Sequence, residues 1–118
     1  MDNSRLDQSM LLDFYGELLT ARQRDCFDLH YNEDLSLSEI AEQLGISRQG
    51  VWDSIRHAQS AMEDVESKTG LIGRFQETRR GLESLKEKME RLRSVTDGEA
   101  ASLAGEAAAV IDALLSRG

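Results

Sequence analysis

Six residues between positions 47 and 56 have the types and spacing of a surface that reads base edges and phosphates. They are Ser47, Arg48, Gln49, Trp52, Asp53 and Arg56 in the stretch SRQGVWDSIR. With Val51, Ile55 and Met62 buried on a helix, these positions are left pointing outward. The chemistry is recognition rather than bond making. Arg48 and Arg56 suit guanine or phosphate, and Gln49 suits adenine. Ser47, with the amino end of a helix behind it, suits a phosphate. Trp52 offers a flat apolar surface for a thymine methyl or an unpaired base, and equally for a protein contact. Asp53 works against phosphate, and Gly50 costs the first turn about 1 kcal/mol relative to alanine. The candidate nucleic-acid-binding set is therefore Ser47, Arg48, Gln49, Trp52 and Arg56.

Other chemistry finds little support. His30 and His57 stand far apart, with no carboxylate-histidine cluster at ligand spacing, so no metal site is expected. Cys26 is the single cysteine and sits beside Phe27 and Leu29 at core spacing, as a small hydrophobe rather than a nucleophile. No glycine-rich loop of the GxxxxGK kind occurs, and the many carboxylates read as solvated helix faces. No cofactor and no enzymatic activity are expected.

The recognition residues need a scaffold, and the sequence around them supplies a helix-turn-helix over residues 37–56. Ile40, Ala41 and Leu44 lie on one face of a short helix, Gly45 stops it, and Ile46 fills the turn. Two steeply crossed helices need a small residue where they touch (Ala41) and a left-handed backbone at the turn (Gly45). Ser36 with Glu39 forms a capping box for the first helix, and Ser47 caps the second. That second helix continues through Ala58, Met62 and Val65 and stops at Gly70.

Two helices precede the motif. Leu6, Met10, Leu11, Phe14, Tyr15 and Leu18 predict a helix over about residues 5–18. Thr20 with Gln23 predicts a capping box for the next, whose inner face is Cys26, Phe27 and Leu29, with Tyr31 near its end. After Gly70, Phe75, Thr78, Leu82, Leu85, Met89 and Leu92 follow a 3,4,3,4,3 spacing on a helix over about 71–95. A final alanine-rich helix over about 99–116 carries Leu103, Val110, Ile111, Leu114 and Leu115. The expected fold is all-α: a helix-turn-helix domain over 1–70, then a C-terminal helical extension over 71–118. The heptad stripe makes that extension a candidate homodimer seam, with its two helices as a hairpin.

Composition agrees with helices. The 118 residues include no proline, few aromatics and 31% charged residues of mixed sign. No apolar run reaches the ~20 residues of a membrane span. The amino terminus has no signal-peptide organisation and Cys26 stands alone, so a cytoplasmic location is the default expectation. The net charge of −8 is awkward for a partner of phosphate backbones, but the acid is unevenly spread. Residues 1–46 hold 10 acidic and 3 basic groups, whereas residues 71–95 hold 7 basic and 4 acidic. The candidate reading helix, through Arg48 and Arg56, and the helix after Gly70 are the positive parts.

The stretch LTARQRDCFDLHYNEDLSLSEIAEQLGISRQGVWDSIRHAQSA (residues 19–61) resembles the DNA-binding end of sigma factors, with their LT…R…L…Y…S..EIA..LG.S...V…I..A pattern. It is still more similar to the small YlxM-like proteins of bacteria, which share LLDFYGELLT, HYNEDLSLSEIAEQLGISRQGVWD and a long helix after Gly70. The resemblance spans residues 11–95. It implies a helical, sigma-like and dimeric DNA-binding regulator. It also implies a link to the signal recognition particle, beside whose genes these proteins tend to be encoded. The alternative it leaves is an accessory protein that contacts the particle's RNA or GTPase without binding DNA. The chain departs from the usual pattern at Gly50, where alanine is common, and at Trp52, where tyrosine is common.

Overall fold

The structure is a computed structural model that describes residues 5–117. Its elements are α1 (Arg5–Tyr15), a 3-10 turn (Gly16–Leu18), α2 (Ala21–Tyr31), α3 (Leu37–Leu44), α4 (Arg48–Thr69), α5 (Leu71–Val95) and α6 (Gly98–Arg117). Among the described residues there is no strand, so the all-α expectation holds. The chain forms two compact units, Met1–Ile72 and Gly73–Gly118.

The caps of the first unit form as their residue types dictate. Thr20 Oγ1 accepts the Gln23 amide at 3.2 Å, and Gln23 Oε1 accepts the Thr20 amide at 3.1 Å. Ser36 and Glu39 repeat the box at 3.1 and 2.8 Å. The reciprocal bonds hold the Glu39 carboxyl below its ordinary pKa, chiefly through the Ser36 backbone amide. α3 ends at Gly45, whose φ of 71° is left-handed, and the amides of Gly45 and Ile46 both reach the Ala41 carbonyl. Without a Cβ, Gly45 adopts that backbone with no steric penalty.

The core of this unit is built from α1, α2, α3 and α4. Cys26, Phe27, Ile40, Val51, Ala58 and Met62 have no exposed surface, and Leu11, Tyr15, Ala41, Ile55 and Ile72 join them. Phe27 and Tyr31 pack with ring centroids 4.7 Å apart. The first helix departs from expectation in two ways. Its α-helical part stops at Tyr15, and Gly16–Leu18 tightens into a 3-10 turn closed by the Leu19 amide on the Gly16 carbonyl at 3.1 Å. Its buried face is Gln8, Leu11 and Tyr15, spaced as i, i+3 and i+7, while Phe14 and Leu18 stay exposed. The expectation for Leu6 lies outside the described side chains.

Tyr15 shows why that face won. Its hydroxyl donates to Glu66 Oε1 at 2.6 Å and lies 2.8 Å from Thr69 Oγ1, and the same Glu66 oxygen accepts the Ile72 amide at 3.0 Å. The carboxylate thus ties α1 to the last turn of α4 and covers an amide beyond that helix's end. A half-buried bond to a charged partner of this kind contributes about 1.5–3 kcal/mol.

Cys26 takes the structural role its spacing predicts. Burial raises its thiol pKa, and a weaker hydrogen bond with Ser54 acts in the opposite direction. The thiolate is the reactive form. Native protein at neutral pH should therefore react with iodoacetamide far more slowly than protein unfolded in urea. Equal rates in the two conditions contradict this placement.

The second unit is an antiparallel hairpin of α5, from Gly73 onward, and α6. Gly98, at φ 65°, makes the turn. Arg79 donates to the Leu115 carbonyl at 2.9 Å, Lys86 bonds Asp112 at 2.7 Å, and the Arg93 side chain lies over Gly105. Ala104, Ala108 and Ile111 are buried against α5, with Leu82, Met89 and Leu115 half-buried beside them. The two apolar stripes were expected to cover each other, and they do so incompletely. Ala104, Ala108 and Ile111 take the inner side of α6, which leaves Leu103, Val110 and Leu114 at 57%, 61% and 45% exposure. Leu85 and Leu92 of the heptad stripe are exposed as well.

Candidate nucleic-acid interface

The candidate surface is the outer side of the first three turns of α4. Val51, Ile55 and Ala58 lock that helix into the core and thereby fix which side faces out. Ser47, Arg48, Gln49, Trp52 and Arg56 all lie exposed, and Asp53 is half-buried among them. All five predicted residues are exposed at the amino end of α4, and Arg48, Trp52 and Arg56, spaced i, i+4 and i+8, lie along one side of it.

Ser47 is not a free hydroxyl. Its Oγ accepts the Gly50 amide at 2.9 Å, which completes the N-cap. The flexibility that Gly50 threatens does not break the helix: α4 runs uninterrupted from Arg48 to Thr69. A Cβ at position 50 would stand 3.2 Å from the Ser47 hydroxyl, so the glycine gives the cap its room.

Gln49 and Asp53 form a pair that residue types alone did not single out. Gln49 Nε2 donates to Asp53 Oδ1 at 3.0 Å across one turn. A carboxylate only accepts, so the amide orientation is fixed, with Gln49 Oε1 turned away from Asp53. Asp53 is therefore more than a repulsive charge: it aims the residue beside it. The i, i+4 spacing of the two was the available signal.

Leu37 is the other residue that sequence reasoning missed. It opens α3, half-buried, and lies with Arg48, Gln49 and Trp52 around a shallow notch of about 410 Å³. Nothing in the local sequence links Leu37 to Trp52, because the crossing of α3 and α4 brings them together. Trp52 keeps 42% of its surface exposed at this notch.

Among the described residues, no group of three or more His, Cys, Asp or Glu is placed to hold a metal ion, and no helix is long and apolar enough to cross a membrane. At another end of the first unit, Phe14, Leu18 and Leu71 line an open cleft with the carboxylates of Asp13 and Glu17.

A short helix closed by a left-handed glycine, crossed by a longer helix with an exposed polar and aromatic first turn, defines a helix-turn-helix protein. Comparison with known proteins makes the assignment specific. Residues 2–100 match the UPF0122 family, described as "Putative helix-turn-helix protein, YlxM / p13 like", and the chain belongs to that family. A UPF0122 protein of Thermoanaerobacter sp. strain X514 is 46% identical over 93 residues, covering 79% of this chain and 80% of that protein. One from Acetivibrio thermocellus is 50% identical over 82 residues, or 69% and 70% of the two chains. One from Geobacillus kaustophilus is 44% identical over 96 residues, or 81% and 86%.

Proposed function

We propose that this protein is a cytoplasmic DNA-binding regulator that reads duplex DNA with α4, in the manner of the sigma-factor ends it resembles, and acts as a homodimer. The observation that carries the reading is the joint exposure of Ser47, Arg48, Gln49, Trp52 and Arg56 at the amino end of the second helix of a firmly packed helix-turn-helix. The amino end of such a second helix is the part that enters the major groove. Purified protein should shift a subset of genomic DNA fragments at low salt and release them steeply as salt rises, because the affinity comes from displaced counterions. Failure to shift any fragment at low salt contradicts the reading.

The homodimer rests on the hairpin. Two helices that bury Ala104, Ala108 and Ile111 while exposing Leu85, Leu92, Leu103, Val110 and Leu114 make half of a core. Charge favours a second copy as the cover: α5 carries seven basic and four acidic residues, and α6 three acidic and one basic. Sedimentation at roughly tens of micromolar, a concentration that resolves weak self-association, should show dimers. Val110→Lys with Leu114→Lys should give folded monomers, since neither side chain is buried in its own hairpin. Monomers alone in the unaltered protein contradict the seam.

A second reading has its own observation. The cleft of Phe14, Leu18 and Leu71 beside Asp13 and Glu17 suits a basic protein surface and repels RNA. In an accessory protein of the signal recognition particle, as the family resemblance implies, that cleft would meet the GTPase. Pull-down with and without ribonuclease separates the two: recovery of the GTPase in both conditions supports this reading, and recovery of no particle component opposes it.

A further inference from the structure

The notch between α3 and α4 has a chemistry that the DNA reading by itself does not assign. Its apolar walls come from Leu37 and Trp52, and its polar edge from Arg48 and Gln49. A surface meant only for phosphates needs no apolar wall, and here the indole, 42% exposed, stands with Leu37 at the edge of the notch. In the major groove, the apolar group that a base edge presents is the C5-methyl of thymine. We propose that Leu37 and Trp52 form a thymine subsite, which seats the C5-methyl of one thymine in each half of the bound duplex. The inference rests on the DNA reading above and sharpens it by naming a base and the atom that is read.

The neighbouring groups fit that occupant. Arg48, in the first turn of α4, stands beside the notch and supplies the positive charge that a base edge or phosphate next to the thymine requires. Gln49 is held by Asp53 at 3.0 Å, so its carbonyl oxygen is free of that bond and aimed by it. An acceptor so held pairs with the exocyclic amino group of an adenine or a cytosine. The subsite thus reads a thymine next to a base that carries an amino group. It also separates DNA from RNA, because uracil lacks the methyl and the A-form major groove is too narrow for side chains.

The test uses the full-length protein and a duplex selected from random sequence. Each thymine of that duplex is replaced in turn by deoxyuridine, which keeps the base pair and removes the methyl. Fluorescence anisotropy then gives the affinity for each duplex. Losing one seated methyl group should weaken binding about fourfold, at one position per half-site, with the other positions unchanged. In Trp52→Ala, the parent duplex and the deoxyuridine duplex should bind alike, whatever the variant's overall affinity. Trp52 is exposed, so the variant should keep the helical signal of the unaltered protein.

Three outcomes overturn the subsite. If the selected duplex binds but every deoxyuridine duplex binds equally well, the DNA reading stands and the subsite is wrong. If the methyl dependence persists in Trp52→Ala, another residue reads the thymine. If no duplex can be selected, both the DNA reading and the subsite fail.

Discussion

Replacing Arg48 and Arg56 together with alanine should cut affinity for a selected duplex by about 30-fold or more, since each specific or phosphate contact contributes about 1–3 kcal/mol. Both side chains are exposed and sit on a helix held from its other side by Val51, Ile55 and Ala58. Their loss should leave the thermal transition almost unchanged. The single variants should differ in kind. Arg48 lies in the first turn, within reach of base edges, so Arg48→Ala should relax the preference at one position. Arg56 lies about two turns further along and suits phosphate, so Arg56→Ala should weaken all sequences alike and flatten the salt dependence. Anisotropy titrations against the selected and a scrambled duplex, each at several salt concentrations, check all of this. A double variant that binds as tightly as the unaltered protein contradicts the assignment.

The second large effect is on folding. Phe27→Ala should destabilise the protein by about 3–5 kcal/mol, the range for emptying a buried aromatic site. Phe27 has no exposed surface and packs on Tyr31, beside Cys26 in the same core cluster as Ile55 and Met62. These residues sit on elements that cannot easily close the gap, because α2 and α4 keep their N-caps and α4 is tied to α1 by the Tyr15–Glu66 bond. Typical domains have only 5–15 kcal/mol of stability in all, so the loss shifts the urea midpoint strongly. Urea titration followed by circular dichroism measures it. A loss below about 1 kcal/mol would mean that Phe27 does not anchor the core.

The two effects separate two roles within the first unit: the core that Phe27 of α2 fills, and the exposed side of α4 that this core holds in place. The acidic remainder of the chain limits which partners approach. Residues 1–46 carry ten acidic groups against three basic ones, so under the DNA reading that part would repel the duplex, while Arg48, Arg56 and the basic excess of α5 would attract it.

Much of this architecture was legible because its causes are local. Thr20 with Gln23, Ser36 with Glu39, Ser47, Gly45 and Gly70 mark helix ends through bonds and dihedrals spanning a few residues. The outward face of α4 was legible for the same reason, since Val51, Ile55 and Met62 fix the phase of the helix. What the sequence hid depends on distant partners. The Phe14 and Tyr15 rings are neighbours in sequence, and it is Tyr15 that turns inward, where its hydroxyl meets Glu66 and Thr69 from the far end of α4. On α6, two apolar stripes one residue apart, 103/110/114 and 104/108/111, could each turn inward, and it is Ala104, Ala108 and Ile111 that are buried. Leu37 joins Trp52 through the crossing of two helices, which no spacing rule within one helix records.

The central claim, that the exposed face of α4 reads duplex DNA, is tested most directly by selecting binding sites from a random duplex library with the purified full-length protein, in parallel with the Arg48→Ala variant. The account predicts one enriched sequence for the unaltered protein, with two related half-sites about one helical turn apart, and a degenerate or absent one for the variant. Recovery of no enriched sequence at low salt, or of the same sequence with the same strength from both proteins, would contradict it.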